Sequence, residues 1–181
     1  MSASLAELLH DWHDFYVLVG TASATLVGLM FVAASIGSTV FNEESRAAMA
    51  AFITPTVVHF AAVLFASLVV TMPTHGWHFL GGLLAAGGLA GAIYSGRILV
   101  EFIIRHRFNV DFTDRLFYAL VPFLGYLLAL AAAVLLFIQS AAGAELIAAA
   151  LLVLLFGGVR NAWDMMVWIV LKTPGGGAPS S

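Results

Sequence analysis

Two pairs of opposite charge stand inside stretches otherwise fit only for lipid: Arg97 with Glu101, and Arg160 with Asp164, each four residues apart and so on one helical face. A charged side chain at a bilayer centre costs on the order of 2.5–3.5 kcal/mol on insertion scales, so it faces the protein interior, pairs, or snorkels to the interface. Helical spacing sets Tyr94 on the stripe of Arg97 and Glu101, and Asn161 on the stripe of Arg160 and Asp164. If the stripes face each other they form a neutral four-charge cluster. Two readings stand: a site for a solute, ion or proton, or local ion pairs that lock helices near the interface. His59 lies near the middle of another apolar stretch, three residues after Thr56. It is either a proton relay or a neutral imidazole hydrogen-bonded to a neighbour. Haem ligation is disfavoured, because no second histidine lies at matching depth.

A second group of chemistry-bearing residues flanks the apolar stretches, in His10-Asp-Trp-His-Asp14 and His75-Gly-Trp-His78. His10, His13, Asp14, His75 and His78 could gather to hold Zn²⁺ or Cu²⁺ or to sense pH. Their spacing matches no known ligand motif, and histidine and tryptophan are ordinary at a wet membrane interface, which is the plainer reading. No other cofactor is expected. The chain has no cysteine, which removes thiolate metal sites, iron–sulfur clusters and cysteine nucleophiles. It contains no zinc-protease, nucleophile-elbow, phosphate-loop or dinucleotide fingerprint, so an enzyme is disfavoured. A net charge of −3 gives no basic surface for nucleic acid.

The elements that must position these residues follow from composition. Of 181 residues, 62% are apolar and 9% charged, against roughly 45–50% and about 25% in a soluble domain. A helix crossing about 30 Å of hydrocarbon needs about 20 apolar residues. Five stretches qualify, at 15–40, 47–72, 79–104, 116–140 and 144–171. The expected fold is an all-α integral membrane bundle of five transmembrane helices forming one domain over 15–172. Short connectors make sequence neighbours antiparallel, and Gly143 is expected to break the chain between the last two spans. Residues 1–14 read as an external amphipathic segment, with Ser4 and Glu7 as a capping box, and 173–181 as a flexible cytoplasmic tail. The first span reads as retained rather than as a signal peptide, since nothing basic precedes it.

Five spans place Arg46, Arg105, Arg107, Arg115 and Lys172 on one side, with Arg97 and Arg160 near it. The positive-inside rule then sets the C-terminus in the cytoplasm and the N-terminus outside, in a bacterial inner membrane. The mixed-sign loop 105–115 reads as a contact for anionic lipid.

The run from Asp14 through Val17-Leu-Val-Gly-Thr-Ala-Ser to Ser35, followed by Thr54-Pro-Thr-Val-Val-His59, resembles a group of small, uncharacterised bacterial multi-pass membrane proteins. The resemblance covers the first third of the chain and implies no function.

In lipid, helices associate through close backbone approach. Gly87, Gly91 and Ser95 make such a stripe on the third span, and Gly20, Ala24 and Gly28 on the first. Each serves either packing within the bundle or a seam of a homo-oligomer. Pro55 and Pro122 remove backbone donors, leaving the carbonyls of Ala51 and Tyr118 without their usual partners. Together these features suggest a small transporter or channel that uses an intramembrane charged cluster. The alternatives are a non-catalytic subunit or regulator of a larger membrane complex, and a membrane protein with an external metal or pH-sensing site.

Overall fold

Backbone N–H and C=O groups find no water in hydrocarbon, and the chain satisfies them within helices. The computed structural model describes residues 5–40, 43–73, 76–104 and 116–172, with side chains over 7–36, 53–73, 76–101 and 117–167. A short helix, α1 (Leu5–Asp11), leads into α2 (His13–Val40), α3 (Glu43–Thr71) and α4 (Trp77–Ile104). A π-helical turn (Leu116–Leu120) then opens α5 (Val121–Phe137), and α6 (Ala142–Lys172) follows. No strand occurs among the described residues. Five segments are long and apolar enough to cross a membrane: His13–Ile36, Ile53–Thr71, Trp77–Glu101, Phe117–Phe137 and Ala142–Val167. The fold is therefore an all-α membrane bundle.

Helices α3, α4, α5 and α6 form a ring in which each packs on the next, and α2 lies against α3 and α6. In that ring α4 is diagonal to α6, and α3 to α5. Glycines set the closest approaches. A Cβ at Gly88 would meet Leu130 at 3.3 Å, and one at Gly91 would overlap the Tyr126 ring, so α4 and α5 pack backbone to side chain. Gly87 faces Phe65 of α3, and the Ser95 hydroxyl donates to the Ala119 carbonyl at 3.4 Å. On α2 the small stripe divides: Gly20 abuts Ser67, whereas Ala24 is exposed and a Cβ at Gly28 would meet nothing within 4 Å. Two hydroxyls fix α2 to its neighbours. Ser23 donates to the Phe60 carbonyl at 2.6 Å, and Tyr16 donates to the Ala144 carbonyl at 2.7 Å.

Gly143 does not break the chain. The reversal falls at Gln139, in the left-handed region at φ 59°. Gln139 N–H donates to the Leu136 carbonyl and Ser140 N–H to the Leu135 carbonyl, both at 2.9 Å, the two bonds of a Schellman cap. Gly143 instead lies in the first turn of α6, where a Cβ would press on Leu136 at 2.8 Å. Close packing, not backbone freedom, explains it.

Ser4, His75, the 105–115 loop with Arg105, His106, Arg107 and Arg115, and the tail 173–181 lie outside the described residues, as do the side chains of Arg46, Trp168 and Lys172.

Candidate functional site

One column of buried polar groups runs along the inner face of α3. On α3, Thr56, His59, Phe60 and Val63 turn inward at helical spacing, and all are almost fully buried. His59 Nδ1 lies 2.9 Å from the Tyr126 hydroxyl. This contact bridges the diagonal from α3 to α5, and it is allowed because Gly91 leaves room for the Tyr126 ring. Tyr94 of α4 approaches from a third side, its ring centroid 6.5 Å from that of His59. The other imidazole nitrogen, Nε2, is buried with no hydrogen-bond partner among the described residues. Beside Tyr126 is a cavity of about 40 Å³ whose walls include Phe65, Gly87, Gly88, Leu151 and Leu154. That lining is apolar, so the cavity offers Nε2 no replacement partner.

A second polar group is built around Pro122. Proline has no N–H, so the carbonyl of Tyr118 in an α-helical register, or of Phe117 in a π-helical one, loses its donor. The chain takes the π-helical form at Leu116–Leu120, and the Asn161 side-chain amide donates to the Phe117 carbonyl at 3.2 Å. Tyr118 returns the contact, its hydroxyl donating to the Asn161 backbone carbonyl at 3.0 Å. Asn161 is 1% exposed, and its Oδ1 has no partner among the described residues.

One residue before Asn161, Arg160 stacks its guanidinium 5.6 Å from the Phe117 ring centroid and pairs with Asp164 Oδ1. The other oxygen, Asp164 Oδ2, is buried and has no partner among the described residues, although the side chain as a whole is 29% exposed. Phe60 of α3 packs on Gly158 of the antiparallel α6. Counting from that contact, Asn161 is level with Val57 and Asp164 with Thr54, two and five residues from His59. At 1.5 Å per residue these are steps of about 3 and 7.5 Å. His59 Nε2, Asn161 Oδ1 and Asp164 Oδ2 thus form a sequence of orphaned polar atoms descending toward the end of the bundle that carries the arginines.

The geometry does not join Arg97 and Glu101 to this column. Both are exposed, on an open groove of α4 with Gly96 and Phe123, diagonal to α6. The ion pair formed among the described residues is Arg160–Asp164. Equal depth in two spans says nothing about which helices are neighbours. At the opposite end, His10, His13, Asp14 and His78 are exposed, and the His78 ring lies 5.8 Å from that of Phe137. No three His, Asp or Glu side chains among the described residues come within reach of one metal ion.

Sequence reasoning did not single out Tyr126, Phe117 and Tyr118 as site residues. Tyr126 had one signal: a hydroxyl near the middle of the most apolar span, four residues after a proline, needs a partner there. No protein-family model, curated protein or solved structure matches the chain.

Proposed function

We propose that this protein is a small proton-translocating transporter of a bacterial inner membrane, with the N-terminus outside and His59 as its proton site. The observation that carries the reading is the His59 imidazole at the bundle centre, one nitrogen held by Tyr126 and the other buried without a partner among the described residues. An unsatisfied polar group in a membrane interior is costly, and a purely structural position is better filled by an apolar side chain. A nitrogen that takes up and releases a proton must not be held in a permanent hydrogen bond, so that a transient donor or a water can reach it. Two elements bring polar groups to it, Tyr126 from α5 and Tyr94 from α4, and Asn161 with the Arg160–Asp164 pair follows on α6 toward the cytoplasmic end. The column of Asp164, Asn161, Thr56 and His59 supports a proton path from the cytoplasmic face. Tyr126 engages Nδ1 in either tautomer, which leaves Nε2 as the nitrogen that exchanges the proton.

The test is proton flux into liposomes holding the purified chain and an internal pH dye, driven by a valinomycin-set potassium potential. Wild-type flux should exceed that of empty liposomes at least tenfold. His59→Asn, with unchanged gel-filtration behaviour, should abolish it, and Tyr126→Phe should reduce it. Flux that survives His59→Asn, or its absence from the wild type, overturns the proposal; the latter favours a subunit or regulator that carries no flux.

A further inference from the structure

Outside the His59 column, a groove on the outer face of the bundle places charged side chains against apolar walls. Ala92, Ile93, Gly96 and Val100 of α4 line it with Phe123 of α5, and Arg97 and Glu101 stand in the same groove. A Cβ at Gly96 would meet the Phe123 ring at 3.3 Å, so the two helices touch there and the groove is a seam between them. Its volume of about 590 Å³ falls within the roughly 300–1,000 Å³ of ligand clefts. Arg97 is exposed in it and forms no ion pair among the described residues, even with Glu101 one turn away. Glu101 is engaged in an interaction of its own. Arg97 is thus the charge in the groove that a ligand can answer.

We propose that this groove holds an anionic phospholipid, with its phosphodiester on Arg97 and an acyl chain along Ile93, Ala92 and Phe123. Depth supports both ends of that placement. Arg97 lies four residues, about 6 Å, inside Glu101, the last residue of the apolar span. A guanidinium on a three-carbon stem snorkels toward the headgroups from such a depth while its methylenes stay on apolar surface. Ile93 and Ala92 lie four and five residues deeper, about 6 and 7.5 Å, among the acyl chains. Headgroup chemistry fixes the lipid class. The planar guanidinium sets two N–H groups on two phosphate oxygens, and basic pockets between membrane helices bind anionic headgroups. A zwitterionic lipid carries its own cation beside the phosphate and gains less from Arg97, so a net negative headgroup is preferred. One arginine matches one phosphodiester, and Glu101 beyond it opposes a headgroup with further negative charge. The site does not depend on His59 carrying protons, and it is tested by binding rather than flux.

The experiment is native mass spectrometry of the full chain in detergent, titrated with phosphatidylglycerol or with phosphatidylcholine of the same acyl chains. One phosphatidylglycerol per chain should be retained, with an apparent affinity at least tenfold above that of phosphatidylcholine. Arg97→Met should abolish the preference with unchanged gel-filtration behaviour, whereas Arg97→Lys, which keeps the charge, should retain part of it. Glycerol phosphate in excess should not displace the lipid, because it has the headgroup without the acyl chain. Equal retention of the two lipids, or a preference that survives Arg97→Met, overturns the proposal, since the groove then takes ordinary boundary lipid or the anionic lipid binds elsewhere. Displacement by glycerol phosphate also overturns it, because the site is then one for free phosphate. Retention of neither lipid overturns it too, and gives the groove to a second copy of the chain if Arg97→Met separates a dimer.

Discussion

His59 Nδ1 and Tyr126 Oη meet at 2.9 Å across the diagonal of a four-helix ring, linking α3 to α5 through side chains rather than through backbone packing. Tyr126→Phe keeps the ring that fills the space against Gly91 and removes only the hydroxyl. His59 is then left with both nitrogens unpaired, a loss of about 1–3 kcal/mol. The thermal midpoint in detergent should fall. Adding His59→Leu should recover part of the loss, because removing both partners leaves no orphaned group. A double variant that is worse than the sum of the singles contradicts the pairing.

The glycines give a sharper contrast. Gly91→Ala places a methyl group on the Tyr126 ring, and overpacking of this kind costs about 1–3 kcal/mol. Gly28→Ala meets nothing within 4 Å. It should be neutral or stabilise by about 0.5–1 kcal/mol, since alanine loses less backbone freedom in a helix. Thermal unfolding of both variants checks the pair. Equal effects would mean that Gly91 does not face α5, or that Gly28 lies in an interface between copies of the chain.

Much of this architecture was legible in the sequence because bilayer thickness sets span length, and apolar runs reveal it directly. The first residues of α2, α3 and α4 fall within four positions of the expected starts. Partner choice was not legible. The i, i+4 spacing of Arg97 with Glu101, and of Arg160 with Asp164, defines a face on each helix, but whether two faces meet depends on how the helices are arranged around the ring. Tyr126 was hidden for a related reason: its partner is 67 residues away, and no local pattern records so distant a contact. The π-helical turn leaves no periodic signal either. Only Pro122 hinted that the carbonyls before it would need donors from elsewhere.

The reversal between α5 and α6 leads to a stabilising change. Gln139 adopts φ 59°, where a side chain crowds the backbone and glycine does not. Its side chain is exposed, so nothing buried is lost on its removal. Gln139→Gly should therefore raise stability by about 1 kcal/mol while both cap hydrogen bonds persist. A lowered midpoint would show that the glutamine side chain holds the turn through contacts that outweigh its strain.

The final prediction separates the two arginine–acid pairs. Arg160 shares Asp164 Oδ1 and stacks on Phe117, whereas Arg97 lies on the exposed groove of α4. Removing Arg160 as Arg160→Met leaves the Asp164 carboxylate uncompensated in a partly buried site. The loss should be about 1–3 kcal/mol and should shrink when Asp164→Asn is present as well. Arg97→Met touches no part of that site, so its effect should stay within about 0.5 kcal/mol. A double-mutant cycle between Arg160 and Asp164 should give a clear coupling. The same cycle between Arg97 and Asp164 should be additive to about 0.5 kcal/mol, as for residues with no shared partner. A larger coupling between Arg97 and Asp164 would bring the two pairs together in one cluster, and α4 could then not lie diagonal to α6.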